Sequence, residues 1–129
     1  MKGQIKICGA ILAAQIWVTG AAVAGPWEDG MAAYNRGDYV PAMQVFRAMA
    51  EQGNLKAQSI LGVMYRRGQG ATRSSTRAFV WLTRAAVRGD TKAKTELRHV
   101  SQSMTAEELS EARAMMQLCE ASDYRNCPY

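Results

Sequence analysis

Apolar side chains recur along the middle of this chain at the spacing of a helix face. Ala42, Val45, Phe46, Met49 and Ala50 stand at i, i+3, i+4, i+7 and i+8, and Ala78, Trp81, Leu82, Ala85 and Ala86 repeat the set. This period predicts two amphipathic helices, each with one face to bury. Ala57, Ile60, Leu61 and Met64 carry the same pattern into a partner helix. Gly53 and Gly89 punctuate each pair, where a helix end with positive φ favours glycine, and Asn54 and Asp90 follow as N-caps. Farther on, Thr105-Ala106-Glu107-Glu108 has the form of a capping box, and Leu109, Ala112, Met116 and Cys119 fall on one stripe. A closing helix is expected there.

The two apolar sets are copies of one unit. Ala42, Ala50, Gly53, Lys56, Ala57 and Leu61 recur 36 positions later as Ala78, Ala86, Gly89, Lys92, Ala93 and Leu97. Self-similarity at a fixed offset of this size marks stacked supersecondary units, each burying only one face alone. The expected fold is all-α: a short α-solenoid of antiparallel helix pairs with a C-terminal capping helix. Alanine at the recurring positions lets antiparallel helices approach closely.

These residues also resemble a known family. Ala50-Glu51-Gln52-Gly53-Asn54, Ala57-Gln58, Leu61-Gly62-Val63-Met64-Tyr65 and Gly68-Gln69-Gly70 are similar to the signature of Sel-one-like repeats, relatives of tetratricopeptide repeats. Ala78, Trp81 and Ala85-Ala86-Val87-Arg88-Gly89-Asp90 resemble its next turn. Gly30-Met31-Ala32-Ala33-Tyr34 with Arg36-Gly37-Asp38-Tyr39 resembles the half-repeat that often opens exported bacterial members. The resemblance spans about residues 27–118. It implies a right-handed superhelix and a role in protein–protein interaction, and it implies no reaction. The second unit departs from the pattern, with Arg98 in the place of Gly62 and no counterpart of Tyr65 or Gly68-Gln69-Gly70. The array is therefore expected to stop there. One disulfide-rich branch of the family is associated with penicillin binding, but its cysteines pair within each repeat. No cysteine lies in a repeat here, so that activity is not carried over.

The first 24 residues read as an export signal. Lys2 and Lys6 precede a mostly apolar stretch from Ile7 to Val18, and Ala22-Val23-Ala24 gives a small-x-small site with cleavage expected between Ala24 and Gly25. An apolar core of roughly 12 residues is short beside the ~20 of a spanning helix, so no transmembrane segment is expected after cleavage. Cys8 stands at the very start of this stretch, two residues after Lys6, whereas a lipid-attachment cysteine would end it. The expected organisation is a signal peptide at 1–24, an N-terminal half-repeat at 25–38, two repeats at 39–103, and a capping helix with its tail at 104–129. The expected location is the periplasm or the exterior. In an oxidising compartment the two remaining cysteines, Cys119 and Cys127, read as one disulfide that folds the tail over the helix end.

Composition narrows the chemistry. Hydrophobic residues make up 48% of the 129 positions and charged residues 21%, as in a chain that folds. A single histidine, His99, excludes any site needing two imidazoles from one chain. Glu107, Glu108 and Glu111 fill the first turns of the closing helix, where they complement its dipole. Met43, Met49, Met64 and Met116 lie on or beside apolar stripes and suit packing better than copper. Gly68-Gln69-Gly70 begins a nucleotide-type fingerprint, but Arg73 stands at its third glycine position and no strand-like run precedes it. No catalytic nucleophile–base pair is legible, so the expectation is a protein that is not an enzyme and uses no cofactor or metal.

One charge feature stands out. From Gln52 to Gly89 there is no acidic residue, while Lys56, Arg66, Arg67, Arg73, Arg77, Arg84 and Arg88 are all basic, in a chain of formal charge +5. At 100° per residue, Arg73, Arg77, Arg84 and Arg88 would fall on one helical stripe beside Trp81. Arg66, Arg67, Arg73, Arg77, Arg84 and Arg88 are the candidate contacts for a partner, expected to be a protein, acidic in character. An anionic envelope polymer or lipid head group is the alternative. Export argues against nucleic acid.

Overall fold

The computed structural model describes residues 24–125 together with Gly3 and Cys127. The leader reading, Cys8 included, otherwise lies outside the described residues, as do Pro128 and Tyr129. Six helices follow in order: α1 (Pro26–Arg36), α2 (Tyr39–Glu51), α3 (Leu55–Arg67), α4 (Ser75–Val87), α5 (Thr91–Ser103) and α6 (Ala106–Ala121). There is no strand among the described residues.

The 36-residue offset is realised in the helix ends themselves. Shifting α2 and α3 by that offset lands on the first and last residues of α4 and α5. The reason is local and the same in both copies. Gly53 and Gly89 take φ of 92° and 101°, a conformation open to glycine but costly for a side chain. The next residues then cap the following helix. The Asn54 side chain accepts from the Ala57 N–H at 2.9 Å, and Asp90 accepts from the Ala93 N–H at 2.8 Å. Both capping bonds satisfy backbone donors that a helix start otherwise leaves unpaired.

Consecutive helices from α1 to α5 pack on one another, while the contacts that skip a helix join α3 to α5 and α4 to α6. The recurring alanines Ala42, Ala57, Ala78 and Ala93 have no exposed surface, and Ala50 and Ala86 are also buried. Phe46, Leu61, Met64, Tyr65, Trp81 and Leu82 fill the interior between them. Leu61→Ala is expected to cost about 2–4 kcal/mol, because it removes a fully buried side chain and leaves a cavity. Chemical denaturation measures it, and an unchanged midpoint would remove Leu61 from the core.

Gly62 and its counterpart Arg98 differ in what they face. A Cβ there would lie 2.6 Å from Leu82 Cγ, so α3 meets α4 closely only because the side chain is missing. At the corresponding position of α5, Arg98 is exposed. Among the described helices α5 packs chiefly on α4 and α3, and a long charged side chain fits on its open side. Instead α6 packs on α4. Its start is fixed by a full capping box. The Thr105 hydroxyl accepts from the Glu108 N–H at 3.1 Å, and the Glu108 carboxylate accepts from the Thr105 N–H at 2.9 Å. Ala112 and Cys119 are the buried positions of its stripe. Cys119 and Cys127 form a disulfide with their Cα atoms 4.6 Å apart.

Candidate interaction surfaces

The α-helical arginine stripe is not formed as expected. Ser74 caps α4 by accepting from the Arg77 N–H at 3.1 Å, so the helix starts at Ser75 and Arg73 lies in the loop before it. At the other end Arg88 is the C-cap, followed by Gly89 in the left-handed region. Only Arg77 and Arg84 of the four belong to the helix. The capping signals on either side decide this, and the charge count along the sequence does not register them.

Most of these cations have partners inside the fold. Arg88 donates through Nη1 to the Gly53 carbonyl at 2.6 Å and to the Gln58 side-chain oxygen at 3.1 Å. Gln58 is fully buried, and its amide donates to the Ala50 carbonyl at 3.0 Å, so Arg88 completes a polar link from the end of α4 to α3 and the α2–α3 turn. Arg66 pairs with Glu96 at 2.9 Å. Arg77 lies 5.9 Å from the Tyr65 ring centre, and the Tyr65 hydroxyl accepts from Arg47 at 3.1 Å. Arg84 sits 3.3 Å from the centre of the Tyr124 ring, well inside cation–π range. Arg67 and Arg73 are exposed. The acid-free stretch of sequence is thus met in space by Glu96 from α5 and by aromatic faces.

Tyr124 anchors the tail. It is buried, 6.1 Å from Trp81 between ring centres, and its phenol is held above the ordinary tyrosine range. Burial is the main cause, the Glu120 carboxylate adds to it, and the Arg84 guanidinium opposes it. The folded state therefore prefers the neutral phenol. Its stabilising contribution is complete below the unfolded value of about 10 and is lost as pH rises through the higher folded value. Melting temperature between pH 9 and 11 is expected to fall more steeply for the wild type than for Tyr124→Phe. Equal slopes would contradict this placement.

A second surface lies on the odd-numbered helices, and the charge argument missed it. Trp27 of α1, Lys56, Ser59 and Ile60 of α3, and Asp90 and Lys92 at the start of α5 line a cavity of about 200 Å³. Trp27 is held against Phe46 with ring centres 5.5 Å apart, and Lys56 stands 5.9 Å from the Trp27 ring centre. Ser59 is only 3% exposed, and its hydroxyl oxygen has no hydrogen-bond partner. Lys56 and Lys92 are the repeat-related lysines, exposed on the same turn of the two units. The 36-residue offset was the signal that could have found them, since it pairs a surface residue as well as five interior or turn positions.

His99 is exposed near the end of α5, and Met43 and Met64 are buried in the core. Among the described residues no group of three histidine, cysteine or acidic side chains is placed to hold a metal ion. No described helix is long and apolar enough to cross a membrane. No protein-family model matches the chain, and no curated protein matches its sequence.

Proposed function

We propose that this chain is an exported bacterial protein of the Sel-one-like repeat type, a short right-handed α-solenoid that binds a protein partner in the envelope and catalyses nothing. The observation that carries the reading is the coincidence of both helix pairs at one 36-residue offset, with matching buried alanines, turns and caps. Stacked units of this kind build extended surfaces across successive helices. The cavity walled by Trp27 and Ile60, with Lys56 and Lys92 beside it, supports partner binding across α1, α3 and α5. Its apolar walls suit a peptide side chain, and its two ammonium groups suit an acidic segment. The Cys119–Cys127 bond supports passage through an oxidising compartment.

The alternative, recognition of an anionic polymer or lipid head group, rests on Arg67 and Arg73, which are exposed around the α3–α4 loop. Arg66, Arg77, Arg84 and Arg88 carry intramolecular contacts that leave them less available. Capture from envelope extracts separates the two readings. A protein partner is lost on protease treatment of the extract and survives reversal of Arg67 and Arg73 to glutamate. Capture that resists protease and disappears on that reversal would overturn the protein reading in favour of the alternative.

A further inference from the structure

We propose that the seat of Tyr124 on α4 is a recognition site for a tyrosine side chain of a partner protein segment, and that the chain's own turn at 122–125 fills it as an intramolecular ligand. This site is separate from the surface of α1, α3 and α5, and its test does not depend on that surface.

The seat belongs to the helix array. Trp81 and Arg84 stand three residues apart on α4, so their side chains lie on one face, and α4 is packed by α3, α5 and α6. Together they offer an indole edge and a guanidinium plane to one aromatic ring. Ring and cation attract through the quadrupole of the π-system, which makes the seat selective for an aromatic group.

The occupant contributes one ring, whose hydroxyl also bonds the Arg84 and Glu120 side chains. Asp123 and Arg125 pair at 3.8 Å with both side chains more than three-quarters exposed. Asp123 and Tyr124 both take left-handed backbone, with φ of 51° and 60°, which non-glycine residues avoid. Such a turn is not adopted for its own sake. The Tyr124 N–H donating to the Cys119 carbonyl at 2.7 Å, and the disulfide beyond it, hold the ring in place. The fit also leaves one polar atom unused, because Arg84 Nε is buried without a hydrogen-bond partner. A longer segment could meet it with a carbonyl or carboxylate oxygen, which the tail does not. The tether gives the internal ring an effective concentration on the order of 1 mM, so an external segment competes at a disadvantage while the tail is seated.

The test uses the full-length oxidised chain and a synthetic acetylated, amidated peptide with the sequence of residues 121–126. Tyr124→Ala empties the seat and keeps the disulfide. Binding is followed by the indole ¹⁵N–¹H resonance of Trp81, assigned with Trp81→Phe, and by calorimetry. The expected result is a saturable shift in Tyr124→Ala, at least roughly tenfold tighter than in the wild type. The shift is expected to vanish when the peptide tyrosine is replaced by alanine, or when Arg84→Met is added to Tyr124→Ala. No saturable shift at millimolar peptide, or an equal shift from the alanine peptide, would overturn the proposal. A response to p-cresol without a response to the peptide would also overturn it, as a cavity open to any aryl group. Should Tyr124→Ala fail to fold by circular dichroism, Cys127→Ser supplies the decision. It removes the disulfide's hold on the turn and keeps the ring, so the peptide is expected to bind more tightly than to the wild type, and equal affinity would refute the tail as competitor.

Discussion

Trp81→Ala is expected to be among the most destabilising single substitutions, costing about 3–5 kcal/mol. The indole is 1% exposed and is the largest fully buried side chain. It lies on the helix that packs against α3, α5 and α6, so the cavity would open where three elements meet. Tyr124 would lose its ring partner as well, 6.1 Å away between centres. For a domain of this size the loss corresponds to a fall in melting temperature of roughly 10–30 °C. Thermal unfolding by circular dichroism measures it. A fall of only one or two degrees would mean that the interior is not organised around α4.

The second large effect concerns binding. Reversing Lys56 and Lys92 together to glutamate is expected to weaken partner capture by at least about tenfold, with helicity and melting temperature nearly unchanged. Both side chains are exposed, so the fold loses no core contact. The surface would change from two cations beside Asp90 to three carboxylates, and like charges facing an acidic segment oppose binding. Wild-type capture is also expected to weaken as salt is raised, since exposed charges are screened over about 8 Å at physiological ionic strength and over less at higher salt. Unchanged capture would exclude the lysine pair as a contact.

The all-helical architecture was legible in the sequence because its determinants are local. Glycine turns, asparagine and aspartate caps, the Thr105–Glu108 box and the alanine positions each act within a few residues. Each recurs at a fixed offset or matches a known cap, and the helix boundaries follow from them. The contrast of Arg98 with Gly62 is equally local, and Arg98 is exposed where Gly62 is packed against Leu82. The cationic surface was not. Arg66 meets Glu96 across 30 positions of chain, Arg88 reaches Gly53 and Gln58 across 35 and 30, and Arg84 meets Tyr124 across 40. A linear count of charge cannot register pairings of that kind, and the helical-wheel argument failed where Ser74 and Gly89 cut the helix short. The Trp27–Ser59–Lys92 surface joins three helices, so its parts were visible only singly.

The central claim is that a protein partner docks across α1, α3 and α5. Site-specific photo-crosslinking in intact cells tests it most directly, with a photoreactive residue introduced in turn at Lys56, Ile60 and Lys92, and at Arg67 and Leu118 as exposed controls. The expected result is one discrete, protease-sensitive crosslinked species from the first three positions and none from the controls. Crosslinks from Arg67 alone, or a species that resists protease, would contradict the claim.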